Sequence, residues 1–79
     1  MQDNPTIKEE VKTARDLLHT MSGLISAARY GLYCCKTSED RDSTLSCIAD
    51  IQDALSESAA VAAKLRASLH TMDKLLELE

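Results

Sequence analysis

An antiparallel hairpin of two long helices, all-α with no sheet, is the fold class this chain predicts, and three observations predict it. Apolar residues recur at alternating four- and three-residue steps through two separate stretches, one polar hexapeptide divides them, and helix breakers are scarce: two Gly and one Pro in 79 residues.

The first stretch reads Ile7, Val11, Ala14, Leu18, Met21, Ile25, Ala28, Leu32 and Cys35. That spacing is a heptad repeat with Val11, Leu18, Ile25 and Leu32 at position a, and Ile7, Ala14, Met21, Ala28 and Cys35 at position d. Two start signals compete. Asn4 offers a cap before Pro5 at the first helical position, and Thr6 with Glu9 offers a capping box. Ser22-Gly23 invites a break, but Met21, Ile25 and Ala28 keep phase across it, and Gly23 falls on the outer face. One helix over about 6–37 is therefore expected, about 45 Å long at 1.5 Å per residue.

Ser38-Glu39-Asp40-Arg41-Asp42-Ser43 is rich in capping and turn-forming residues and predicts a turn over about 38–43. The second stretch, Ile48, Ile51, Leu55, Ser58, Ala62, Leu65, Leu69, Met72 and Leu76, predicts a helix over about 44–77. The chain 1–79 thus reads as a single hairpin domain. Pairing residues whose numbers add to 83 sets Leu18 by Leu65, Ala28 by Leu55 and Cys35 by Ile48, and places small side chains opposite large ones.

Leu17 and Leu24 on the first helix, and Cys47, Ala54, Val61 and Leu75 on the second, add position g to the apolar stripe. Three positions per heptad are more than one neighbouring helix covers. Leu17, Leu24, Ala54, Val61 and Leu75 are therefore expected to form a dimer or partner interface, with two hairpins closing into a four-helix bundle. Size argues the same way. A chain this short buries only about 60 percent of its unfolded surface and draws stability from an exceptionally regular core, a crosslink, a metal or another subunit.

The net charge is -4, which disfavours a general DNA-coating role. Cations cluster early: residues 1–36 carry five bases and four acids, residues 37–79 four bases and nine acids. Lys8, Arg15, Arg29 and Lys36 share position e of the first helix, a basic line suited to an RNA backbone or an acidic partner, or simply to solvent. Three cysteines, without CxxC spacing, read as reduced thiols of a cytoplasmic protein, with neither a disulfide framework nor a metal site expected. No apolar leader follows Met1, and no membrane span is expected.

Leu-His-Thr-Met occurs at residues 18–21 and again at 69–72, placing His19 and His70 outward; shared heptad demands account for the repetition. Tyr30, Tyr33 and Cys34 fall on outer positions beside the turn, where they suit a partner surface or a shield for the helix ends at a dimer contact. No phosphate-binding glycine loop, HExxH segment or nucleophile-base spacing is present, so no catalytic residue, cofactor or small-molecule substrate is expected.

In length, acidity and heptad layout the chain resembles the small plasmid-encoded Rop-type hairpins, a resemblance that implies a four-helix dimer able to bind paired RNA loops. Bacterial and phage-borne adaptors, inhibitors and secretion chaperones share the same size and layout. The expected function is that of a small cytoplasmic adaptor or regulatory protein, homodimeric and acting by protein-protein binding. The alternative is a Rop-like RNA-binding regulator using the basic line.

Overall fold

A computed structural model describes residues 6–78. Two helices, α1 (Ile7–Thr37) and α2 (Arg41–Glu77), pack against each other as an antiparallel hairpin. The molecule is a rod, 58 × 21 × 14 Å, two helices wide and one helix thick. Its radius of gyration is 17.8 Å, against about 12 Å for a compact domain of this length.

Thr6 caps α1 through the capping box: its hydroxyl accepts from the Glu9 amide at 3.2 Å, and the Glu9 carboxylate accepts from the Thr6 amide at 3.2 Å. Asn4 and Pro5 lie outside the described residues. The helix then runs unbroken through Gly23, beside which an added Cβ would meet nothing within 4 Å. Ser38 ends it, its amide donating to the Cys34 carbonyl at 2.9 Å.

The connection is shorter than the polar hexapeptide suggested. Asp40 caps α2, accepting from the Ser43 amide at 2.8 Å, so Arg41, Asp42 and Ser43 already belong to the helix. These bonds hold the Asp40 carboxyl below its ordinary value. Hydroxyls of Ser38 and Thr44 bond across the turn, and Thr44 also donates to the Asp40 carbonyl at 2.9 Å.

The seam between the helices corrects the expected core. Position d faces inward on both helices, but its partner is position g rather than a. The most buried residues are Ala14, Ala28, Gly31, Ala54 and Ser68, all at d or g. Position a, expected inside, is exposed: Val11, Leu18, Ile25 and Leu32 on α1, with Ile48, Leu55, Leu69 and Leu76 on α2. Side-chain volume explains the choice. Helix axes approach to about 8 Å only where the facing side chains are small. Positions d and g supply Ala14, Ala28, Gly31 and Cys35 against Cys47, Ala54 and Ser68, whereas position a is mostly Leu, Ile and Val.

Gly31 marks a close approach of the helices. A Cβ there would lie 2.6 Å from Ile51 Cγ1 and 3.6 Å from the Cys47 carbonyl oxygen. Gly31 opposite Ile51 and Ser38 opposite Thr44 define the register. Extended along the rod, it sets Ala28 level with Ala54, Leu24 with Ser58, Leu17 with Leu65 and Ala14 with Ser68, one residue from the expected pairing. Ser68 donates to the Glu10 carboxylate at 2.8 Å, tying the far end together. The Ser58 hydroxyl is buried without a partner.

Candidate interaction surfaces

Turning one helix end for end also turns its wheel over, so in an antiparallel pair equal heptad positions fall on the same flank. Position a of α1 and position a of α2 therefore lie side by side. Val11, Leu18, Ile25, Leu32, Ile48, Leu55, Leu69 and Leu76 form one apolar strip along the rod, each at least 40 percent exposed. Half-buried Ala62 completes the row, and Leu45 widens it near the turn. The opposite flank carries position c: Thr13, Thr20, Ala27 and Cys34 beside Ser43, Asp50, Glu57, Lys64 and Thr71.

The residues expected at an intermolecular interface sit elsewhere. Ala54 is buried and Leu17, Leu24, Val61 and Leu75 are half-buried within the hairpin seam. The two rows have exchanged roles: position g, where Gly31, Cys47, Ala54 and Ser68 are interspersed with Leu17, Leu24, Val61 and Leu75, lies at the seam, and position a is left over. The width of the stripe was legible; which edge remained exposed was not.

Lys8, Arg15, Arg29 and Lys36 are all exposed and lie just outward of the strip on α1. Lys8, Lys12, Arg15 and His19, with Val11 and Asp16, line an open trough of about 790 Å³ along the first turns of α1. Lys12 and His19 were not singled out as part of the basic line. They occupy position b, which alternates with e at four- and three-residue steps, so the same periodicity carries the signal.

At the turn end Tyr30 and Tyr33 are exposed, their rings tilted by 31° with centroids 6.5 Å apart. The Cys34 thiol beside Tyr30 raises the phenol above 10.0 by hydrogen bonding and by its charge. Cys34 is half-buried, as are Cys35 and Cys47, and all three are free thiols. Burial raises the Cys47 thiol above 9.0, and Cys34 and Cys35 add to the shift. Cys35 Sγ lies 3.9 Å from the Thr44 carbonyl oxygen. The expected pairing of Cys35 with Ile48 already brings the adjacent Cys47 close; the half-burial of Cys34, one position round from the seam, follows from the rotated packing.

No family model, curated protein or solved structure matches the chain. The reading of its role therefore rests on these surfaces. Among the described residues, no helix is long and apolar enough to cross a membrane, and no group of three or more His, Cys, Asp and Glu side chains is placed to hold a metal ion.

Proposed function

We propose that the chain is a self-associating adaptor or regulatory protein of the cytoplasm that acts by protein-protein binding. A second copy covers the apolar strip to complete a four-helix bundle. The exposed strip carries this reading. A compact protein of 8.7 kDa exposes about 4,700 Å², whereas this hairpin exposes 6262 Å². The excess, about 1,500 Å², is more than the roughly 800 Å² each partner contributes to a standard interface. A rod one helix thick has no second layer of its own, and an equal rod supplies one along its full length.

With the strip covered, the tyrosines beside the turn remain available to a different protein. Tyr30 and Tyr33 offer aromatic area at little entropic cost, next to Cys34. Sedimentation equilibrium at micromolar concentration is expected to return twice 8.7 kDa; a single-chain mass would overturn the dimer. Capture of a protein partner that is lost on Tyr30→Ala with Tyr33→Ala, while the dimer mass persists, would support the turn end as the partner surface.

The trough of Lys8, Lys12, Arg15 and His19 favours a second reading, an RNA-binding regulator. Salt separates the two. RNA held by phosphate contacts weakens steeply between 50 and 200 mM salt, roughly tenfold or more for a few contacts, whereas a contact made by apolar side chains hardly responds. Arg15→Glu with Arg29→Glu would abolish the former and leave the latter.

A further inference from the structure

We infer that the two copies pack with their turns at the same end of the bundle, α1 of each chain lying beside α2 of its partner. This rests on the homodimer proposed above and fixes the orientation, which the apolar strip alone does not.

When the flat apolar flanks of two hairpins meet, each helix gains one neighbour across the interface, and a twofold axis allows two arrangements. With the axis along the rod, the turns share one end and α1 faces the partner's α2. With the axis across the rod, the turns lie at opposite ends, α1 faces the partner's α1, and α2 faces the partner's α2. Both bury the same strip, so the rim decides.

Rim positions lie just outward of the strip, at e and then b. On α1 they carry Lys8, Lys12, Arg15, Arg29 and Lys36, five cations and no acid. On α2 they carry Asp42, Asp73 and Glu77 against Arg66 alone among the fixed charges. An axis across the rod would set the five cations of one chain along the five of its partner. An axis along the rod sets them beside a rim of net negative charge. Charge at such flanking positions selects partner and orientation in helical bundles.

The axis along the rod also preserves height, so the register within one hairpin carries over to the contact between hairpins. Lys8 comes level with the segment containing Asp73 and Glu77 of the partner subunit, and Lys36 with the segment following Asp42 of the partner subunit. Arg29 falls near the neutral Gln52 of the partner subunit. Arg15 near Arg66 of the partner subunit is the one like-charge approach. Along the strip, Leu18 meets the small Ala62 of the partner subunit, and Ile25 meets Leu55 of the partner subunit.

Spin labels test the arrangement. Glu39→Cys, in a background carrying Cys34→Ser, Cys35→Ser and Cys47→Ala, puts one label on each exposed turn of the dimer. Double electron-electron resonance is expected to give a distance of about 20–30 Å, two helix diameters plus the label arms. Turns at opposite ends would instead give a distance near the 58 Å length of the rod and would overturn the orientation while leaving the dimer standing. Glu77→Cys in the same background repeats the test at the other end: a short distance again supports the inference, and a long one refutes it. Sedimentation on the same samples separates the two failures, because a single-chain mass removes the dimer and the orientation with it. If the labelled background fails to fold, light chemical crosslinking of the wild-type chain followed by peptide mass spectrometry decides. Crosslinks from Lys8 or Lys12 to Lys74 are also possible within one chain, so chains mixed from isotopically heavy and light stocks report only those between copies. Mixed-isotope links between Lys8 or Lys12 and Lys74 support the inference, and mixed-isotope links between Lys8 and Lys36 overturn it.

Discussion

The two flanks of the hairpin are built by the same pair of helices, yet one presents Leu18, Ile25, Leu55 and Leu69 and the other Thr13, Thr20, Asp50 and Glu57. If the hairpin were complete by itself, both flanks would face water and neither would need large aliphatic side chains. The asymmetry teaches that the seam between the helices leaves one apolar flank uncovered. Leu18 and Leu55 are 53 and 55 percent exposed, while the seam hides Ala28 and Ala54 to 8 and 7 percent. The most buried positions of the seam hold small residues, while the large aliphatic side chains of position a stay exposed.

The sharpest way to break that comparison is to charge each flank in turn. Leu18→Asp with Ile25→Asp is expected to convert the proposed dimer to single chains, weakening association at least a hundredfold, because a buried unpaired charge costs about 3–5 kcal/mol. Thr13→Asp with Thr20→Asp, on the opposite flank, should leave the sedimentation mass unchanged. Equal behaviour of the two pairs would mean that the flanks do not differ in role. Within the seam, Ala28→Leu should lower stability in denaturant titration by about 1–3 kcal/mol through overpacking against Ala54.

Two pairs of identical substitutions sharpen the contrast between seam and surface. Gly31→Ala drives a methyl group into Ile51, whose β-branched side chain has one favoured helical rotamer, and should destabilise by about 1–2 kcal/mol. Gly23→Ala adds a Cβ in open space and should stabilise by about 1 kcal/mol through helix propensity. Ser68→Ala loses the bond to Glu10 and should cost about 1 kcal/mol, whereas Ser58→Ala removes an unpartnered buried hydroxyl and should gain about as much.

The smallest expected effect is a pH dependence at the turn end. The folded Cys47 thiol holds its proton above the ordinary 9.0, so the stability it contributes is whole below pH 9 and is lost as pH rises through the folded value. The denaturant midpoint should fall gently above pH 9, and less so in Cys47→Ala. Iodoacetamide should modify Cys47 more slowly than Cys34 at pH 8, since the thiolate is the nucleophile; the reverse order would contradict the burial of Cys47.

Much of the fold was legible in the residue pattern. Heptad spacing marks both helices, Thr6 and Glu9 mark the start of α1, and the phase kept from Met21 to Ile25 excludes a break at Gly23. The end of the turn was harder to read, because Asp40, Asp42 and Ser43 all suit a cap and only one serves. The seam was misread because periodicity counts apolar positions and ignores their volume. Three rows qualified as core, and the deciding signal was the recurrence of Ala, Gly, Cys and Ser at d and g. The same exchange puts Leu17, Leu24, Ala54, Val61 and Leu75 in the seam and leaves exposed the row one position beyond them on each helix. The exposure of Lys8, Arg15, Tyr30 and Tyr33 was legible, since positions b, e and f lie outside the three rows.

Ile51 seated against Gly31 has a consequence for sliding. A track lined with small side chains is smooth, and a smooth track lets its halves shift by a whole repeat with little change in what meets what. Moving α2 by seven residues so that Ile51 met Leu24 would leave the glycine notch facing Thr44, so the seat of Ile51 on Gly31 acts as a detent that stops the rod from coasting out of alignment.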